Sequence, residues 1–452
     1  MCHSKIYVAL LACATLAGCT SQSDHRGFES VQAKVSTLIQ KEVDWRDPDD
    51  TSEKDARVRE LLQGEVSADA AVQVALLNNP SLQATFEELG IANADLIEAG
   101  IIKNPSLNAY ARFPDASSAV LNTQVSVALN FIDIILLPLR KKVEGMRFEA
   151  AKARVSLAVL TLAADVRTAY FQVQSEQARV ALRKTMFDAA QASSEFAEKL
   201  GKAGNLSELS VIPRMASYHQ AKLDAAKAEL ELGSQREKLN RLLGLHAEAK
   251  WQIAPELPAL PEKESLPAAD VLEALAVTQR LDLDVQRRDV EVIDKARALR
   301  HWGVYTAVEP GASTEKEPEG VRVTGPTLNL EIPIFNRGQA DRSRLRAQLR
   351  QAKDKLEALD QSVRSEVREA YERVLASRTT VEYYRDSILP LRERQLALST
   401  EHYNSMALGP LDLLGARQDQ LASQLEQREA LRDYWIYRTE LERAVGGTLP
   451  GK

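Results

Sequence analysis

Six histidines, three cysteines and five methionines are the residues through which this chain could ligate a metal or form a covalent intermediate. Their spacing argues against both. His3, His25, His219, His246, His301 and His402 are scattered, none at metal-ligand distance in sequence from another ligand type. Past Met1, the methionines Met146, Met186, Met215 and Met406 each stand alone. No glycine-rich phosphate loop, nucleophile elbow or zinc-protease motif occurs. The expectation is therefore no enzyme, no metal site and no cofactor beyond covalent lipid. A net charge of −6 leaves no basic field for nucleic acid.

The cysteines point elsewhere. All three lie in the first 19 residues, at Cys2, Cys13 and Cys19. Lys5 precedes an apolar run, Ile6 to Leu16, too short to span a bilayer, which needs about 20 apolar residues. That pattern predicts a signal peptide over 1–18. Its end, Leu16-Ala17-Gly18-Cys19, resembles the lipobox of bacterial lipoproteins, which implies a diacylglycerol and an N-acyl chain on Cys19. Thr20 in the next position resembles lipoproteins passed to the outer membrane. Each buried acyl methylene adds about 0.8 kcal/mol, so three chains anchor firmly. With its one mature cysteine lipidated, the chain has no disulfide and must rely on packing and oligomerisation.

The rest of the chain must position a function that is not chemical. The polar stretch 19–66 reads as an extended tether. A helix starts near Ser67, with Ser67 or Asp69 as its cap, and breaks at Asn78-Asn79-Pro80. A second helix is expected from Ser81 to about Lys103. Residues 106–113 and 121–131 then alternate with period two. Leu121, Thr123, Val125, Val127, Leu129 and Phe131 share one face, and Asn122, Gln124, Ser126 and Asn130 the other. This suits a half-buried sheet or a membrane barrel with a wet lumen. From Arg140 to Lys199 the pattern is helical, about 60 residues spanning about 90 Å. It stops at Gly201-Lys-Ala-Gly-Asn205 and returns as a helix to about Leu245. Such a rod needs lateral packing along its length. Residues 251–267, with Pro255, Pro258, Pro261 and Pro267, read as an extended linker.

The plan then repeats. Asp165-Val-Arg-Thr-Ala-Tyr170 returns as Glu366-Val-Arg-Glu-Ala-Tyr371, about 201 residues later, and Ala203-Gly-Asn-Leu-Ser-Glu-Leu209 as Leu408-Gly-Pro-Leu-Asp-Leu-Leu414. The repeats are placed at 67–250 and 268–447. Strands are expected at 302–309 and 327–334, flanking a polar exterior loop Pro310–Gly320. A helix of about 70 residues follows from Arg337 to Met406, kinked at Pro390.

Ala75-Leu-Leu-Asn-Asn-Pro-Ser-Leu82, Gly325-Pro-Thr-Leu-Asn-Leu-Glu-Ile-Pro-Ile-Phe-Asn-Arg-Gly338 and Leu16-Ala-Gly-Cys19 together resemble the TolC family of outer-membrane efflux proteins, in its lipoprotein branch of OprM- and CusC-like channels. The resemblance covers the mature chain. It implies a mostly α fold with a small membrane β part, a homotrimer with a β-barrel of about 12 strands continuous with a periplasmic α-helical barrel, and partners in a periplasmic adaptor and an inner-membrane pump of the RND type. Leu137-Pro-Leu-Arg-Lys-Lys-Val-Glu-Gly-Met-Arg-Phe148 looks like members associated with heavy-metal pumps. Physics agrees on oligomerisation, because four strands cannot close a barrel and a bilayer tolerates no open edge.

The breaks at Gly204-Asn205 and Gly409-Pro410 would then lie together, about 90–100 Å below the strands. In the family this end is the entrance that docks the adaptor. Glu208, Tyr403, Asn404, Asp412 and Arg417 surround it here. Asp412 reads equally as one member of a trimeric acidic ring or as a helix cap. Competing readings are a pore-less coiled-coil lipoprotein, a periplasmic adaptor, and a channel for type I protein secretion.

Overall fold

The structure, a computed structural model, describes residues 26–45, 52–113, 121–246, 250–261, 266–302, 308–332 and 334–449. Cys19, the signal peptide and His25 lie outside them. Two copies of one plan follow each other. The first has α3 (Ala68–Asn78), α4 (Pro80–Ala99), β2 (Ser106–Arg112), β3 (Asn122–Ala128), α5 (Phe131–Lys202) and α6 (Glu208–Leu243). The second has α7 (Ala269–Gln279), α8 (Leu281–Trp302), β5 (Val308–Lys316), β6 (Arg322–Leu330), α9 (Gln339–Tyr383), a π-helical turn Tyr384–Ile388, α10 (Leu389–Asn404) and α11 (Pro410–Val445). Both opening helices have 11 residues and both return helices 36.

The sequence echoes are structural. Arg167 reaches Asp69 on the first repeat's opening helix at 3.1 Å, and Arg368 reaches Glu273 on the second's at 2.8 Å. Burial disfavours the charged form of Asp69, but Lys41 and Arg167 outweigh it and hold the carboxyl below its ordinary range. Asn79 caps α4 by accepting from Leu82 N–H at 3.0 Å, and Ser67, not Asp69, caps α3. Asn78 and Asn79 also donate to the carbonyls of Leu243, Gly244 and Leu242, clasping the end of α6. Gly244 has a φ of 68°, and a Cβ there would sit 2.5 Å from the Asn78 carbonyl oxygen. Arg280 does the equivalent work in the second repeat, reaching the Ala444 carbonyl beside Gly446.

The four membrane-type strands form one antiparallel sheet, in the order β2-β3-β5-β6. Its registers carry the alternation through all four. Leu107, Val127, Ala312 and Pro326 form one row; Asn108, Ser126, Ser313 and Gly325 form the next, on the opposite face. Leu107, Val125, Val127, Leu328 and Leu330 are exposed on the apolar side. Asn122 donates to Glu315 and Asn329 to Glu309 on the polar side.

Several expectations need correction. The tether is folded. In α1 (Phe28–Ile39), Phe28, Val31, Val35 and Ile39 bury a face against the core, and α2 (Ser52–Leu61) follows. The proline-rich stretch is extended but not a free linker. Its β4 (Gln252–Ile253) pairs in parallel with β1 (Glu65–Val66), and Trp251, Ile253, Leu257 and Leu260 are buried. Helix α5 begins at Phe131, with Asn130 as its cap, and carries Pro138 inside its first turns; neither residue continues the strand. In the second repeat the expected exterior loop Pro310–Gly320 is mostly β5, the strand placed at 327–334 is β6 at 322–330, and residues 303–307 and Pro333 fall outside the described residues. Pro310 has no N–H but its carbonyl accepts from Leu129 at 3.1 Å, and a Cβ on Gly311 would collide with the Val127 carbonyl. Pro326 lies on β6, an edge strand within one chain.

Candidate functional site: the tip of the helical hairpins

Both hairpins point the same way. Arg167 pairs with Glu442 at 2.9 Å, Phe171 stacks on Trp435 at 5.6 Å, and Leu182 and Gln424 line one hollow. Rising numbers on α5 thus meet falling numbers on α11, so the ends of both hairpins leave the body together. With 72 residues, α5 places its end about 108 Å from the sheet, at 1.5 Å per residue. Gly204-Asn205 and Gly409-Pro410 are at this shared end.

At the first tip, Gly204 takes φ 73°, Asn205 N–H donates to the Leu200 carbonyl at 2.9 Å, and Glu208 opens α6 beside a Ser207–Ser210 hydroxyl pair. At the second, the left-handed position is occupied by Met406, φ 61°, which is 95% exposed. Gly409 begins α11 and Pro410 takes its first position. Gly204, Asn205, Glu208, Tyr403, Gly409 and Asp412 are exposed; Pro410 and Arg417 are half-buried.

Asp412 lies in the first turn of α11, where a negative charge suits the helix dipole. Its backbone N–H donates to the Gly409 carbonyl, but no side-chain cap bond forms. Its carboxylate meets no donor among the described residues, and Arg417 turns instead to Gln420. A capping role by hydrogen bond is thus not what the geometry provides.

Two features escaped the sequence reading. The π-helical turn Tyr384–Ile388 lies directly before Pro390, which signalled a kink but not the extra residue in the turn. Its first residue, Tyr384, donates to Glu426 at 3.1 Å, and Arg392 of α10 pairs with Asp419 at 3.5 Å, tying the turn and α10 to α11. Exposed apolar residues also run down α6, at Leu209, Ile212, Leu223 and Leu230, near heptad spacing and uncovered within one chain.

Known proteins share this arrangement. The model of a family described as outer membrane efflux protein matches residues 71–245 and 304–447, more than half of the chain and one segment per repeat. The cobalt-zinc-cadmium resistance protein CzcC of Cupriavidus metallidurans is 24% identical over 397 residues, covering 85% of this chain and 90% of that one. Among solved structures, the CmeC outer membrane channel of Campylobacter jejuni superposes with a TM-score of 0.70 at 15% identity, covering 84% of this chain and 86% of that one. CusC superposes with a TM-score of 0.67 at 17% identity, covering 84% and 92%. With a matching strand sheet, paired long hairpins and two family segments in register with its repeats, this chain belongs to the outer membrane efflux protein family.

Proposed function

We propose that three copies of this chain close into a passive conduit, anchored by lipid on Cys19, through which metal ions leave the periplasm. An adaptor and an RND-type inner-membrane pump would dock at the tip. The sheet carries this reading. It has one apolar and one polar face, and its edge strands β2 and β6 are left open by a single chain. Two copies would make a barrel of about eight strands, filled by its own side chains; three leave a lumen. The uncovered apolar stripe on α6 provides contact area for a neighbouring copy. Metal cargo rests on the likeness to CzcC.

Single-channel recording from purified oligomer in planar bilayers tests the conduit. Discrete conductance is expected, and Asp412→Ala is expected to raise it, because a carboxylate without a partner in its own chain is free to bind a neighbour across the tip. Absence of any conductance in both proteins would favour the pore-less spacer.

A further inference from the structure

We propose that a hollow just below the sheet is an oxyanion-binding site, repeated in each copy as a basic belt inside the conduit. The side it faces rests on the conduit reading; its charge does not. The hollow, about 470 Å³, is lined by Lys103, Asp133 and Arg140 on one side and Arg300, Asp341 and Arg344 on the other, with Leu136, Leu299 and Leu345 between. Lys103 and Arg140 share Asp133, at 3.1 and 3.7 Å. Arg300 and Arg344 share Asp341, at 2.8 and 3.2 Å.

Each carboxylate therefore serves two cations. Each trio keeps one positive charge unneutralised, in a chain whose net charge is −6. Arg300, and less so Arg344, hold the Asp341 carboxyl below its ordinary range, so it stays ionised and the excess is not larger. Arg140 Nε is buried with no acceptor among the described residues. Two residual charges, carried largely by guanidinium forks against an apolar wall, match a tetrahedral oxyanion with two negative charges. A point monoanion such as chloride uses the forks poorly.

The helices below the sheet follow the strand order. α4 packs on α5, α5 on α8, and α8 on α9. The hollow is shared by α5, α8 and α9, with α8 in the middle of the three. Asp284, which meets Lys34 of α1 at 3.8 Å, lies about 120–160° around α8 from Ala296 and Arg300. The hollow thus faces away from α1. It sits above the tip, so bulk anions reach it from outside even when the tip is closed.

Isothermal titration of sodium sulfate into the intact detergent-solubilised oligomer at low ionic strength tests the site. Saturable binding is expected in the wild type and about tenfold weaker binding in Arg300→Gln/Arg344→Gln, since charge-assisted bonds are lost. Sodium chloride is expected to give no saturable heat. If the double variant fails to assemble, Lys103→Gln, at a largely exposed residue, is expected to weaken sulfate binding in the same direction. No saturable sulfate binding in the wild type, or equal binding in the assembled variants, would overturn the proposal. Sulfate binding without conductance in any protein would support the site and count against the conduit.

Discussion

The two hairpins descend from one plan yet are held differently. Along the first, α5 keeps buried residues almost to its end, at Ala190, Ser193, Ser194 and Ala197. Phe187 meets Tyr218 at 5.6 Å, and Arg183 and Lys184 pair with Asp224 and Glu229 on α6. Along the second, Val381 is the last buried residue of α9, the π turn and α10 bury none, and α11 buries nothing before Ala416. The return helices show the reverse: α11 is buried from Ala416 onward, at Gln420, Leu421, Ser423 and Leu425, whereas α6 buries nothing before Ala228. A buried descending arm in the first hairpin, against α10 with no buried residue and cut from its own stem by a π turn, places the freedom to move in α10.

The largest expected effect would break this contrast at its packed side. Ala197→Glu puts a charge where the native side chain is fully buried, costing several kcal/mol. Leu398→Glu at the corresponding depth of α10, already 37% exposed, should cost about 0.5 kcal/mol or less. Yields of heat-resistant oligomer compare them, and equal losses would mean α10 is as tightly packed as α5.

A middle-sized effect sharpens the contrast functionally. Tyr384→Phe with Arg392→Ala removes the polar ties of the π turn and α10 to α11, each worth about 0.2–1 kcal/mol. Open probability should rise by about fivefold. Arg183→Ala with Lys184→Ala, on the first hairpin, should leave it unchanged. Bilayer recordings with the opposite ranking would assign the moving part to the first hairpin.

The smallest effect is at the turns. Met406 holds a left-handed conformation that glycine holds at Gly204, at a strain of about 1 kcal/mol. Met406→Gly should stabilise the tip by about that much and Gly204→Met should lose as much, read by hydrogen exchange at the tip amides.

What was legible followed from periodicity. β2 and β3 stand out because apolar and polar residues alternate, and α5 because nothing interrupts it. β5 was hidden: Val-Glu-Pro-Gly-Ala-Ser-Thr-Glu-Lys has the composition of a turn, and only its neighbours β3 and β6 make it a strand. The apolar spacing of Phe28, Val31, Val35 and Ile39 was present but diluted by charge, so α1 passed for tether. The tip residues were found because the repeat aligned two turns about 200 residues apart. The basic hollow was not, since its six charged residues come from four separate segments that only the fold assembles.

The seat of α1 has a consequence for how the chain is made. Gly27 lies against Phe148 and Lys152, Lys34 pairs with Asp284, and the Leu38 carbonyl accepts from Thr448 N–H at 3.2 Å. In a chain synthesised from its N-terminus this helix is made well before Asp284 and Thr448. Its apolar face finds Trp45, Phe86 and α5 in the first half of the chain, while the ion pair to Asp284 and the hydrogen bond from Thr448 come later. The seat of α1 is thus closed by Thr448, about 410 positions after Leu38, and an early helix is held by a late residue.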